Sequence, residues 1–237
     1  MLRARDLRVT FGGVAAVDGV DLDVGEGELV GLIGPNGAGK TSLFDAVSGV
    51  VPAEGSVRFR GEELLGLAPH EVVRRGVART FQLVRTFDGL SAMDNAVAGA
   101  TFGAGLDDSS ARRRAEESLS FVGLADAADE RAGGLTVAGR KRLELARALA
   151  TDPDLVLVDE IASGLTPAEV EEIAALLGRL RDERGVAVVW IEHVVGAVMG
   201  AVDRVVVLSR GRVIADGPPG AIREDPAVEE AYLGDPA

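Results

Sequence analysis

A chain of 237 residues that is 47% hydrophobic and 27% charged can bury a sizeable core, as one large α/β domain or as two lobes. Its net charge of −13 argues against a general nucleic-acid-binding surface and is accounted for by solubility. Without cysteine there is no disulfide framework or thiolate metal site, as suits a reducing compartment, and with no apolar run long enough to span a bilayer any membrane role comes through a partner.

Met1 to Asp6 leads into a strand-like segment rather than a long apolar signal region. Leu2 to Thr10 and Asp18 to Val24 alternate apolar and polar residues, as half-exposed strands do. Between them stands Phe11, an aromatic that either stacks on a base or packs in the core. Glu28 to Ile33 reads as a buried strand. It runs into Gly34-Pro35-Asn36-Gly37-Ala38-Gly39-Lys40-Thr41, which fits G-x-x-x-x-G-K-[ST]. The glycines free the backbone to curl so that successive N–H groups aim at one anion. Lys40 would reach the β- and γ-phosphates of a nucleotide, and Thr41 would offer its hydroxyl to Mg²⁺. Ser42 to Val47 continues as a helix whose positive dipole end faces the same anion. The alternative is a Gly-rich turn without ligand, but Lys and Thr in register between a strand and a helix favour the phosphate site.

Val57 to Arg60 alternates again, bracketed by Gly55 and Gly61, and His70 reads as solvated surface. Arg79-Thr80-Phe81-Gln82 begins the passage into a helical region; Gln82 there can touch both Mg²⁺ and an attacking water, although most glutamines are surface residues. From about Ala92 to Ala150 the pattern is helical, with Ser110 to Val122 charged on one side and Leu145 and Leu149 spaced by one turn. Strand-like runs return at Leu155 to Val158, Ala187 to Ile191 and Arg204 to Leu208, continuous apolar segments of the kind buried on both faces of a parallel sheet. Pro167 to Glu183 reads as a helix with an apolar stripe through Val170, Ile173, Leu177 and Leu180, and Leu208 to Val213 as a tight hairpin. The expected fold is an α/β P-loop core with a mixed, largely parallel sheet, an N-terminal antiparallel β part and an inserted helical subdomain. In this reading residues 1–237 form one domain, with 1–90 and 151–237 as the nucleotide-binding core and about 91–150 as the helical part.

The apolar strand Leu155 to Val158 ends in Asp159 and Glu160. An Asp at such a strand tip can hold Mg²⁺ beside a P-loop, usually through water. Glu160, one residue further out, can orient and deprotonate an attacking water. His193 follows the strand Ala187 to Ile191, where it can reach a γ-phosphate, although a lone His in this position is as readily a loop or core residue.

In this order the pieces resemble the nucleotide-binding subunit of an ATP-binding cassette transporter, over nearly the whole chain. The resemblance implies ATP and Mg²⁺ as cofactors, Phe11 as the adenine-stacking position, and Gly34, Pro35, Asn36, Gly37, Ala38, Gly39, Lys40, Thr41 and Ser42 as the Walker A site. It implies Gln82 as the Q-loop, Asp159 and Glu160 as Walker B and catalytic carboxylate, Ser163 to Thr166 as the D-loop region, and His193 as the switch histidine. Glu160, His193 and Gln82 would be catalytic, and Thr41, Gln82 and Asp159 would hold the metal. The family's signature, Leu-Ser-Gly-Gly-Gln at a helix start, is matched by Leu135-Thr136-Val137-Ala138-Gly139. Thr136 keeps a hydroxyl that can cap the helix. Ala138 replaces a glycine; its methyl is expected to crowd the other subunit's γ-phosphate or, at a glycine-like backbone angle, to cost about 1 kcal/mol. Ile161 stands where many relatives carry Pro.

A narrower resemblance, to the larger ATPase of branched-chain amino acid uptake systems, rests on Arg79 to Gln82 followed by Ser91 to Asn95, and on the tail Ala221 to Gly234. It implies an importer motor. A second cassette subunit, identical or not, would complete each ATP site through Thr136, Ala138 and Gly139 in trans. Permease subunits would anchor it at the cytoplasmic face of the cell membrane, and a solute-binding protein would act only through them. The alternative is a soluble assembly or regulatory ATPase of the same superfamily, whose members commonly carry long coiled coils or paired cassettes that this chain lacks. A small-molecule kinase shares only the P-loop.

Overall fold

Alternation in the N-terminal third and continuous apolar runs in the C-terminal half resolve into two sheets. The computed structural model describes residues 1–193 and 195–233; Gly234, the last residue of the tail singled out above, lies outside them. In chain order the elements are β1 (Leu2–Phe11), β2 (Val14–Val24), β3 (Leu29–Ile33), α1 (Lys40–Val47), β4 (Glu54–Phe59), β5 (Glu62–Glu63), α2 (Pro69–Arg74) and β6 (Val77–Arg79). Then come α3 (Ala92–Ala98), α4 (Asp108–Phe121), α5 (Val137–Leu149), β7 (Leu155–Asp159), α6 (Pro167–Arg184), β8 (Ala187–Ile191), α7 (Val195–Ala201), β9 (Arg204–Ser209), β10 (Arg212–Gly217), α8 (Pro219–Arg223) and α9 (Pro226–Leu233). A π turn over Gly99–Gly103 follows α3.

The antiparallel sheet has the order β2-β1-β4-β5, and the larger sheet β10-β9-β3-β8-β7-β6, parallel except for β10. This is the expected α/β architecture. Gly55 lies inside β4 rather than before it, and the helix that carries Leu145 and Leu149 begins at Val137. The parallel strands bury both faces, which is why their sequences run apolar without alternation. Leu29, Val156, Val158, Val188 and Trp190 point to one face, against α5 and α6; Val30, Leu32, Leu155, Leu157 and Val189 point to the other, against α1 and the antiparallel sheet. No helix among the described residues is long and apolar enough to cross a membrane.

Local signals set the helix ends. Thr166 and Glu169 form a reciprocal capping box before Pro167, and Gly185 ends α6 in the left-handed region at φ 66°. Asp107 caps α4: its carboxylate accepts from the Ser110 and Ser109 N–H groups, both at 3.1 Å, and from both serine hydroxyls. These bonds, the Ser110 N–H first, hold Asp107 down to about 2 from an ordinary 3.8. A depressed carboxylate contributes stability above its unfolded pKa and loses it as pH falls through the folded one. Asp107→Ala is therefore expected to lower the urea midpoint at neutral pH, with the gap to wild type closing between pH 3.8 and about 2.

Candidate active site

β3 delivers the chain to a loop that only glycine can follow. Gly34 and Gly39 have φ of 149° and 102°. A Cβ on Gly34 would lie 2.0 Å from the Leu208 carbonyl oxygen, and one on Gly39 would lie 2.1 Å from that of Ala16. The loop is thus wedged between β2 and the end of β9, and Gly211 N–H donates to Ala38 O at 2.9 Å to hold it there. At the start of α1, Lys40 is 5% exposed and its Nζ donates to the Gly34 and Pro35 carbonyls at 2.7 and 3.1 Å. Burial pushes the Lys40 ammonium down, while nearby Glu160 and Asp159 act in the opposite direction. Asn36, Gly37 and Thr41 are exposed, Pro35 and Ser42 half-buried. The helix N-terminus and the curled N–H groups make this concavity a site for an anion.

The second half of the site lies at the carboxyl end of β7. Glu160 is a non-glycine residue with φ of 46°, a conformation that persists only when its surroundings over-determine it. They do so here. Its N–H donates to Ile191 O at 3.0 Å, and its own carbonyl accepts from Ser163 N and from Lys141 Nζ, both at 3.3 Å. Its side chain is thereby aimed between two loops: Oε2 accepts from Gln82 Nε2 at 2.6 Å, and Oε1 contacts His193 Nε2. The structure brings together the three polar side chains that the sequence left far apart. Asp159, 1% exposed, accepts from Arg79 Nη2 on Oδ2 at 3.1 Å, while Oδ1 is buried with no partner. Burial pushes the Asp159 carboxyl up, and the Arg79 guanidinium opposes it.

Among the described residues no three carboxylate or imidazole groups converge as a metal cage. Mg²⁺ needs none, since it binds through one or two carboxylates plus substrate phosphates. The unpartnered Asp159 Oδ1, the exposed Thr41 hydroxyl and Gln82 fit that role.

Phe11 is 50% exposed at the end of β1, which removes the core-packing alternative. Thr136, Ala138 and Gly139 form the first turn of α5, where Thr136 Oγ1 accepts from Gly139 N at 3.0 Å. Ala138 lies within the helix, outside the positive-φ residues, so the backbone penalty expected for replacing a glycine does not arise. This turn makes no hydrogen bond to Gln82, Glu160 or His193 among the described residues, although Lys141, further along the same helix, donates to Glu160 O.

Sequence reasoning missed Arg79, Lys141 and Glu192. Arg79 and Glu192 sit within three residues of Gln82 and His193, a proximity that offered a signal; Lys141 was hidden in a basic helical turn. Glu192 is 2% exposed and accepts from Ala162 N at 2.6 Å, Trp190 Nε1 at 3.3 Å and His193 N at 3.3 Å. It ties the segment after Glu160 to the residue that contacts Glu160. Burial pushes its carboxyl up against those three donors.

Comparison with known proteins gives the following. A family profile described as ABC transporter matches residues 17–163, and one described as branched-chain amino acid ATP-binding cassette transporter matches residues 212–237. The chain is 41% identical to the high-affinity branched-chain amino acid transport ATP-binding protein BraF of Pseudomonas aeruginosa, over 99% of this chain and 98% of that one. It is 37% identical to LivG of Salmonella typhimurium, similarly described, over 99% and 98%. It is 34% identical to the lipopolysaccharide export system ATP-binding protein LptB of Escherichia coli, over 99% and 97%. A nucleotide-free ATP-binding cassette from an ABC transporter superposes with a TM-score of 0.90 at 28% identity, covering 99% of both chains. A dimeric bacterial ABC transporter cassette superposes with 0.82 at 26% identity, covering 92% of this chain and 99% of that one.

Removing the Glu192 carboxylate leaves three donors without their acceptor, the Ala162 N–H and Trp190 Nε1–H among them buried. Glu192→Ala is expected to lower the unfolding free energy in urea by about 1–3 kcal/mol, and Glu192→Gln, which keeps one acceptor oxygen, by less.

Proposed function

The chain belongs to the ABC transporter family and is an ATPase, and from that premise we propose that it is the ATP-hydrolysing motor subunit of a membrane importer for branched-chain or related amino acids or amides. The transport relatives and the C-terminal match support this over a soluble assembly or regulatory ATPase. The observation that carries the hydrolytic part is the Glu160 carboxylate, suspended between Gln82 and His193 beside the P-loop helix. In this reading residues 1–237 act as one cassette, with the core in 1–90 and 151–237 and the helical part at about 91–150.

Each residue then has a task. Phe11 stacks on adenine. The loop from Gly34 to Gly39, through those of its N–H groups that are free to donate, cradles the phosphates together with Ser42. Lys40 leaves the Gly34 and Pro35 carbonyls for the β- and γ-phosphates, which repay its burial better than neutral acceptors do. Thr41, Gln82 and Asp159 hold Mg²⁺, which when bound neutralises charge on the phosphate oxygens. Glu160 accepts a proton from the attacking water, Gln82 orients that water, and His193 steadies Glu160 and the γ-phosphate. Each Glu160 oxygen has a protein contact here and keeps a further lone pair with which to accept from water.

Thr136, Ala138 and Gly139 would serve the ATP of a second cassette across a head-to-tail dimer, identical or not; dimeric relatives support that arrangement. The dipole end of α5 would there face γ-phosphate charge. A groove of about 510 Å³ lined by Phe81, Arg85, Phe87, Phe102 and Arg147, beside the 79% exposed Leu83, would receive permease subunits. Through them the chain would sit peripherally on the cytoplasmic face of the membrane, meeting the solute-binding protein only indirectly.

Glu160→Gln is expected to keep ATP binding, accumulate as a dimer on size exclusion with ATP, and lose at least about 100-fold in turnover. Wild-type turnover would sink the role given to Glu160. ATPase activity in vesicles with the permeases should rise with a binding protein loaded with a branched-chain amino acid; no rise with any such solute counts against the importer reading.

A further inference from the structure

Arg79 ends β6, the edge strand next to β7, and reaches inward with its side chain only 6% exposed. Its Nη1 donates to Asp45 Oδ1 at 2.6 Å and to Ser48 Oγ at 3.0 Å, both on or just beyond α1. Its Nη2 donates to Asp159 Oδ2 at 3.1 Å. The guanidinium carbon lies 5.7 Å from the Phe44 ring centre and 5.1 Å from that of Phe81, so aromatic faces on both flanks limit its movement. One side chain therefore spans the helix that follows the P-loop, the strand that carries Asp159 and the root of the segment that carries Gln82.

Arginine–carboxylate pairs are frequently bidentate, with the guanidinium fork on both carboxylate oxygens. This one is not. Arg79 Nε and Asp159 Oδ1 are both buried without a partner. The anchoring of Nη1 on Asp45 and Ser48 sets the angle at which Nη2 meets Asp159, so one oxygen is held and the other left free. We propose that Arg79 is a positioning residue that holds the Asp159 carboxylate with Oδ1 presented to the magnesium position and ties that orientation to the P-loop helix through Asp45 and Ser48. This rests on the reading of the site as a magnesium–ATP site. Partners of this kind, which orient a ligand without touching the metal, typically contribute 10–100-fold, order of magnitude, to metal affinity. Lysine cannot substitute fully, because a single ammonium does not span the three acceptors with the planar geometry of arginine.

The test is ATP affinity of the full chain by titration calorimetry, with magnesium chloride and with EDTA. Arg79→Met, which keeps the packing against the two rings, is expected to lose about 10–100-fold of the magnesium-dependent gain in ATP affinity while affinity in EDTA stays at the wild-type value. Arg79→Lys should recover part of the gain. Asp45→Asn, which loosens the anchor and keeps the arginine, should show a smaller loss of the same magnesium-dependent kind and serves if the methionine variant does not fold. An unchanged magnesium gain in Arg79→Met or, if that variant does not fold, in Asp45→Asn overturns the proposal, as does an equal loss with and without magnesium, the mark of a merely structural residue. A wild-type chain that binds no ATP in either buffer would instead overturn the P-loop reading, and this proposal with it.

Discussion

Two adjacent carboxylates at the end of a fully buried strand set the central constraint on this structure. Asp159 and Glu160 are 1% and 6% exposed, and leaving them there unpaired would be far costlier than any single contact in the core gains. Their partners arrive from separate stretches of the chain. Arg79 comes from the neighbouring strand, Gln82 from the segment after it and His193 from the end of β8, while Lys141 of α5 donates to the Glu160 backbone carbonyl. The sheet order places β6 and β8 on either side of β7, so these donors converge on one strand end.

The same convergence joins the helical region to the core. Lys141, Glu144 and Arg147 recur at a spacing that puts them on one face of α5. Lys141 reaches Glu160 O, Glu144 Oε1 accepts from Phe81 N at 3.2 Å, and Arg147 Nη1 donates to Arg85 O at 2.6 Å. The helix that begins with Thr136 is therefore fastened to the segment around Gln82 and to Glu160 by polar contacts. Burial pushes the Glu144 carboxyl up and the Lys141 ammonium down, so these groups gain little as isolated charges and act through the backbone positions they hold. A tilt of α5 would be felt at both places, a physical route by which a partner on the Phe81–Phe87 groove could influence the carboxylate.

Legibility in the sequence followed the range of the interaction. The P-loop was readable because its requirements are local: glycines where a Cβ would strike the Leu208 or Ala16 carbonyl, then Lys and Thr at a helix start. The parallel strands were readable because burial on both faces demands unbroken apolar runs. Asp159 and Glu160 stood out by ending one of them. At Ala138 the sequence left two effects open, since a glycine in a motif does not reveal whether angle or space requires it; here the angle is helical, which removes the backbone one. The roles of Arg79 and Glu192 went unread because the contacts that tie them to other segments, with Asp45, Asp159 and Ala162, span 30 or more residues.

The chain alone thus determined the elements, the glycine loop after β3 and the candidate side chains of the site, all of which depend on neighbours within a turn or a strand. Only the tertiary structure decided that Glu160 adopts a left-handed backbone, that its two oxygens face Gln82 and His193, and that Asp159 keeps one oxygen held and one free. Those outcomes depend on which strands lie side by side and on how buried charges share too few partners, and neither quantity is written in any local stretch of sequence.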